Sequence, residues 1–211
     1  MIRLPVISTI IVALAAAAMI ALGVWQLQRA DEKAVVLKTL AANQSRPPIA
    51  FPSIPIGDDL LFRKASAFCL SVTGWTTQSG RDAKGNSGWR KIAQCRTGAE
   101  GPGFQVQLGI GNDPNGNPAW KGGKVSGFIS HAPNANPLIV SMLGGGGSKT
   151  LMLIADTPPA GLRPNAGPDL SAVPNNHLAY AVQWFIFAGI AVIIYLVALR
   201  RRALAPRTPA Q

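Results

Sequence analysis

Two transmembrane α-helices flanking an extracytoplasmic β-rich domain is the fold class this chain predicts, on three observations. Leu4 to Trp25 contains no charged residue, and neither does Leu178 to Leu199. As a helix each run is long enough to cross the ~30 Å hydrocarbon core at about 1.5 Å per residue. Between them the composition turns to Gly, Pro, Ser, Thr and Asn with short apolar runs, a pattern of strands and turns. The charged fraction is also low, 14% against 48% apolar, where soluble domains carry about a quarter.

The first run follows a short basic start, Met1 to Arg3, and holds small-residue sites such as Ala13-Leu14-Ala15. A cleaved signal peptide shares those features. The run exceeds the usual ~7–15-residue apolar region of such a peptide and ends without an A-x-A site, which favours an uncleaved anchor. No Arg-rich, Ser-rich presequence stands before it, which points to a bacterial inner membrane. Gln26 to Ala42 lacks Gly and Pro, and Leu27, Ala30, Ala34, Leu37 and Ala41 recur at helical spacing. One helix is therefore expected to end near Asn43, its last turns standing in water or headgroups, before Arg46-Pro47-Pro48 breaks it. The expected divisions are 1–43 for the first helix with its outer extension, 44–174 for the β-rich domain, 175–200 for the second helix and 201–211 for a basic tail.

Strands are expected at Ala65 to Thr76, Gly88 to Thr97, Phe104 to Ile110, Lys124 to Ser130, Leu138 to Leu143 and Leu151 to Ile154. Gly80 to Gly85, Gly111 to Pro118, Pro133 to Pro137 and Gly144 to Gly147 separate them. Short strands at this spacing predict a small antiparallel sheet or a partly open barrel. Gly144 to Gly147 reads as a plain loop rather than a functional joint. In an antiparallel hairpin facing residues share one index sum, and the pairs Cys69–Cys95, Trp75–Trp89 and Val72–Ile92 do so about a centre at Asp82. Facing Cα atoms lie ~4.5–5.5 Å apart, which a disulfide accepts. A Cys69–Cys95 bond would persist in an oxidising compartment, and two free thiols are the equal alternative. A soft-metal site from Cys69, Cys95 and His131 lacks any C-x-x-C or H-x-H spacing.

Arg200, Arg201, Arg202 and Arg207 follow the second run, whereas only Arg163 stands some way before it. The positive-inside rule then puts both termini in the cytoplasm and the middle in the periplasm. Around the first run the bias is reversed, with Arg3 on one side and Arg29, Lys33 and Lys38 on the other. Long domains translocate largely regardless of charge, so the arginine cluster decides. Net charge is +11; without Arg3 and the four C-terminal arginines the outer part keeps +6. Its basic residues are scattered, whereas a nucleic-acid site needs a clustered stripe, so membrane lipid or an acidic partner surface is the expected electrostatic partner and nucleic acid is not.

Catalytic machinery is sparse, and no enzyme is expected. There is no G-x-S-x-G, no H-E-x-x-H and no P-loop; Gly147-Ser148-Lys149-Thr150 belongs to the glycine tract. The outer acids Asp58, Asp59, Asp82, Glu100, Asp113, Asp156 and Asp169 sit mostly in apparent turns, and His131 reads as an exposed loop histidine. His177 is the informative one. Pro174-Asn175-Asn176 marks a helix start, after which His177, Tyr180, Ala181, Trp184 and Ala188 recur on one face. A haem-iron ligand fits this position, and so does an interfacial histidine within an aromatic belt. Belts are routine, so the residues alone favour the second.

Leu22-Gly23-Val24-Trp25-Gln26-Leu27-Gln28-Arg29, with Lys33 beyond, resembles the first-span signature of the Surfeit family of cytochrome c oxidase assembly factors. The run from Asn175-Asn176-His177 to Gln183-Trp184-Phe185 resembles its second-span signature, and Phe62-Arg63-Lys64 leading to Val72-Thr73-Gly74 is a weaker match. The resemblance implies an accessory protein that helps build the haem-bearing subunit of a haem-copper oxidase. It also implies haem a as cofactor, with His177 as ligand beside Tyr180 and Trp184. Trp25, Gln26 and Arg29 carry over as motif positions of unknown role. Many members have Arg-Gly-Trp before Val-Pro where this chain reads Gln107-Leu108-Gly109-Ile110-Gly111-Asn112-Asp113-Pro114, so detail tied to the outer domain does not carry over. A scaffold that touches the respiratory complex without cofactor is the alternative.

Overall fold

The computed structural model describes residues 5–53, 57–98, 101–133, 150–171 and 173–204. The expected strand Leu138–Leu143, the glycine tract Gly144–Gly147, Arg3, Glu100 and Arg207 lie outside them. The chain forms two compact units: 1–36 with 174–211, and 37–173. The first holds helix α1 (Val6–Ser45) up to residue 36 and helix α2 (His177–Leu204). Both are long and apolar enough to cross a membrane, and they support a two-span membrane protein.

The second unit is a seven-stranded sheet of β1 (Ile49–Ala50), β2 (Lys64–Cys69), β3 (Ser71–Arg81), β4 (Ser87–Arg96), β5 (Phe104–Gly111), β6 (Gly123–His131) and β7 (Leu151–Ala155). Its order is β1-β2-β6-β7-β5-β4-β3. The sheet is mixed rather than antiparallel throughout, because β1 runs parallel to β2 and β5 parallel to β7. β2 and β3 lie near opposite ends of that order, yet only Leu70 separates them in sequence. The sheet must therefore curl until its ends meet at one bent strand, and the Leu70 N–H donates to the Arg96 carbonyl at 2.8 Å there. The expected single strand Ala65–Thr76 is thus two, because its halves pair with different neighbours: β2 with β6, β3 with β4.

The hairpin register differs from the index-sum expectation. Val72 faces Cys95, Trp75 faces Ala93 and Ser79 faces Trp89, with a bulge between Val72 and Gly74. The physical reason is the turn. The Asp82 carboxylate accepts the amides of Lys84 and Asn86, each at 2.9 Å, and Gly85 takes φ +84°. That geometry makes Asp82 the first residue of the turn rather than its centre. Cys69 accordingly lies on β2, opposite Gly123, and not in the hairpin. It is disulfide-bonded to Cys95 of β4, with Cα atoms 5.2 Å apart, at the place where the curled sheet closes.

Inside lie Ala65, Cys69, Ala93, Cys95, Val106, Leu108, Val125, Ile129 and Leu153, all buried in one cluster. The end of α1 joins them, which corrects the expectation that these turns stand free. Leu40 packs in the same cluster, and Asn43 is fully buried. The Asn43 amide donates to the carbonyls of Asp59 (2.7 Å) and Leu61 (2.9 Å), holding the short 3-10 turn Asp58–Leu60. Just beyond, Phe62 is a non-glycine residue at positive φ, +65°, and its N–H donates to the Ile129 carbonyl. Such backbone costs about 1–3 kcal/mol and persists only where its surroundings impose it. His131 is not a loop residue: it ends β6 and its Nε2 lies 2.7 Å from an Asp58 carboxylate oxygen.

Candidate functional site

In the membrane unit the two apolar runs form an antiparallel pair. Near the N-terminal end of α1 the Thr9 hydroxyl hydrogen-bonds the Tyr195 hydroxyl. Midway, Gly23 leaves room for the Phe185 ring, whose nearest carbon would lie 2.6 Å from a Cβ placed there. Further along, His177 Nδ1 and Gln26 Oε1 are 2.8 Å apart. Small residues line the seam: Ala16, Ala181 and Ala188 are buried. Close approach through small side chains is how helices associate in lipid, where apolar surface gives no net drive.

His177 opens α2 and Ala181 and Ala188 follow it at helical spacing, so its ring is on the seam side. An amide oxygen can only accept, so the Nδ1 N–H donates to Gln26. Among the described residues nothing bonds the other nitrogen, Nε2. Tyr180 is 52% exposed, on the outer flank of the helix pair, and Trp184 is half-buried, edge-on to Phe187 with ring centroids 6.2 Å apart. Trp25 is 50% exposed, and Arg29 turns along its own helix to pair with Glu32 at 2.6 Å. The structure therefore brings His177 and Gln26 together. Trp25, Tyr180 and Trp184 contribute apolar surface to the same unit, and the Arg29 guanidinium is paired with Glu32.

Among the described residues, this arrangement has one imidazole nitrogen, Nε2, without a hydrogen-bond partner and no second ligating side chain bonded beside it. A porphyrin iron takes an unprotonated imidazole nitrogen of that kind, so His177 is the described residue whose chemistry would suit such a group. No group of three or more His, Cys, Asp or Glu capable of holding a bare metal ion exists among the described residues. The soft-metal alternative fails for a plainer reason, since Cys69 and Cys95 are bonded to each other.

Gln26 as the partner of His177 escaped sequence reasoning, although the signal was there. Gln26 directly follows the first apolar run and His177 directly precedes the second. In a two-helix hairpin both ends lie at the same membrane level, so the two polar groups are bound to be neighbours.

In the β-rich unit a separate polar network ties the segment around Arg163 to the hairpin. Arg163 pairs with Asp82 at 2.6 Å, and Asn165 bonds Gln107 and the Ala155 carbonyl. Burial by itself raises the Asp82 carboxyl, but hydrogen bonds from Asn86 and Lys84 and the Arg163 charge outweigh it and hold it below its ordinary value. This is a structural clamp. Lys91 does similar work, its buried ammonium donating to the Pro114 carbonyl at 2.9 Å and to the Thr77 hydroxyl at 3.3 Å.

Compared with known proteins, the chain matches the model of the SURF1 family over residues 13–189, most of its length, including Gln26 and His177. A search of curated proteins gives no match. The chain belongs to the SURF1 family, which is associated with cytochrome c oxidase assembly.

Proposed function

We propose that this SURF1 family member is a bacterial inner-membrane assembly factor that holds haem a through His177 and delivers or shelters it while the haem-bearing subunit of a haem-copper oxidase matures. The observation that carries the reading is that, among the described residues, nothing bonds the Nε2 of His177 while its other nitrogen is engaged by Gln26. Bound haem would supply an iron coordination site for that nitrogen. Trp184 and Tyr180 on the same helix would offer apolar surface to it, and the positive end of the α2 dipole would favour an anionic propionate. A single ligand suits temporary custody, because one axial bond holds haem less firmly than two.

Both termini are cytoplasmic and the β-rich domain is periplasmic. Arg200, Arg201 and Arg202 at the end of α2 support that orientation through the positive-inside rule. The Cys69–Cys95 bond supports it independently, since disulfides persist in the periplasm and not in the cytosol.

The second reading is a scaffold that meets the oxidase without cofactor. The bonds Gln26–His177 and Thr9–Tyr195 favour it, since they also staple the helices to each other. Complementation separates the two. In cells lacking the chain, assembled oxidase measured by its absorption bands should fall, and wild-type protein should restore it. Custody of haem predicts that His177→Ala, inserted at normal level, does not restore it; full restoration supports the scaffold.

A further inference from the structure

We infer that Gln26 is a positioning residue for His177: it fixes the imidazole as the Nδ1–H tautomer and so reserves Nε2, with its lone pair, for an incoming electrophilic metal centre. Three features carry this. The contact is from Nδ1 to Oε1 at 2.8 Å, and only the ring nitrogen can be the donor. An isolated neutral imidazole can carry its proton on either nitrogen, so a defined tautomer needs an acceptor held in place. Gln26 is held: it sits inside the long helix α1, and the helix beside it is packed one turn away through Gly23 and Phe185.

The same bond orients the ring. A histidine donating its second N–H to a fixed acceptor has both its rotation and its basicity set, the usual arrangement behind a metal-binding imidazole. The usual acceptor is a carboxylate or a backbone carbonyl. Here it is a neutral amide, which keeps uncompensated charge away from the edge of the bilayer and leaves the ring a weaker donor than a carboxylate would. A weaker donor holds its cargo less tightly, which suits a protein that must give haem up. This last point rests on the function proposed above; the tautomer itself does not.

The test has two arms. In the first, detergent-solubilised protein with 15N-labelled histidine is examined by NMR without haem, at a pH where imidazole is neutral. Wild-type His177 should give the Nδ1–H pattern, Gln26→Leu should lose it, and Gln26→Glu, which retains an acceptor, should restore it. An Nε2–H pattern in the wild type, or an unchanged pattern in Gln26→Leu, overturns the inference. In the second arm the proteins are loaded with haem a, and the iron–histidine stretching vibration of the reduced form is recorded by resonance Raman. It should move to higher frequency in Gln26→Glu and lower in Gln26→Leu. Identical frequencies in all three overturn the positioning role. If wild-type protein takes up no haem, the function proposed above fails, and the NMR arm alone decides the tautomer.

Discussion

Replacing both Cys69 and Cys95 with alanine removes the disulfide at the closure of the sheet. The two are 26 residues apart in sequence. Releasing a loop of that size returns about 3.5 kcal/mol of chain entropy to the unfolded state. Both side chains are buried, so their packing is lost in addition. For a domain of this size a loss of about 3.5 kcal/mol lowers the unfolding temperature by roughly 10–15 °C. Trp75 and Trp120 pack against the core and report on it, so tryptophan fluorescence of the detergent-solubilised protein during heating is a direct assay. Wild-type protein treated with reductant should fall towards the double variant. Two results would refute the reasoning: mass spectrometry after alkylation showing both thiols free, or a double variant melting within about 2 °C of the oxidised wild type.

Gly127 lies between β2 and β7, and a Cβ there would overlap the Ile154 carbonyl oxygen; Gly127→Ala should cost at least the ~1–3 kcal/mol typical of overpacking, and an unchanged unfolding temperature would contradict the ladder. Asp82 has a lowered folded-state pKa, so its stabilisation is fully present above the ordinary carboxyl value and fades as pH falls through the lower, folded one. The stability gap between wild type and Asp82→Asn should therefore narrow below about pH 4, and a gap constant from about pH 2 to 6 would count against the clamp. A reporter active only in the periplasm should work when inserted near Asn115 and fail when fused after Gln211; the reverse pattern would invert the topology.

The helices were legible in the sequence because an apolar run of bilayer length has few other uses. Most strand positions were legible too, from turn residues between short apolar runs. The register was not, because an index sum presumes a turn centre, and only the hydrogen bonds of the Asp82 carboxylate place it. Nor could sequence show that Leu70 divides one apparent strand between two neighbours, since that depends on pairing far along the chain. The site divided in the same way. His177 stood out as a polar residue at the mouth of a span, whereas its bond to Gln26 spans 151 positions and becomes visible only when the two helices are set side by side.

The central claim is custody of haem a by His177, and the haem content of the purified protein tests it most directly. Wild-type protein and His177→Ala are to be purified in mild detergent from cells that make haem a, and haem is quantified per chain from its pyridine complex. The account predicts haem a in the wild type and at least a tenfold loss in His177→Ala, about 1.4 kcal/mol or more of lost affinity, with both proteins inserted equally in the membrane. Equal haem content with an unchanged spectrum, or wild-type protein free of haem, would contradict it.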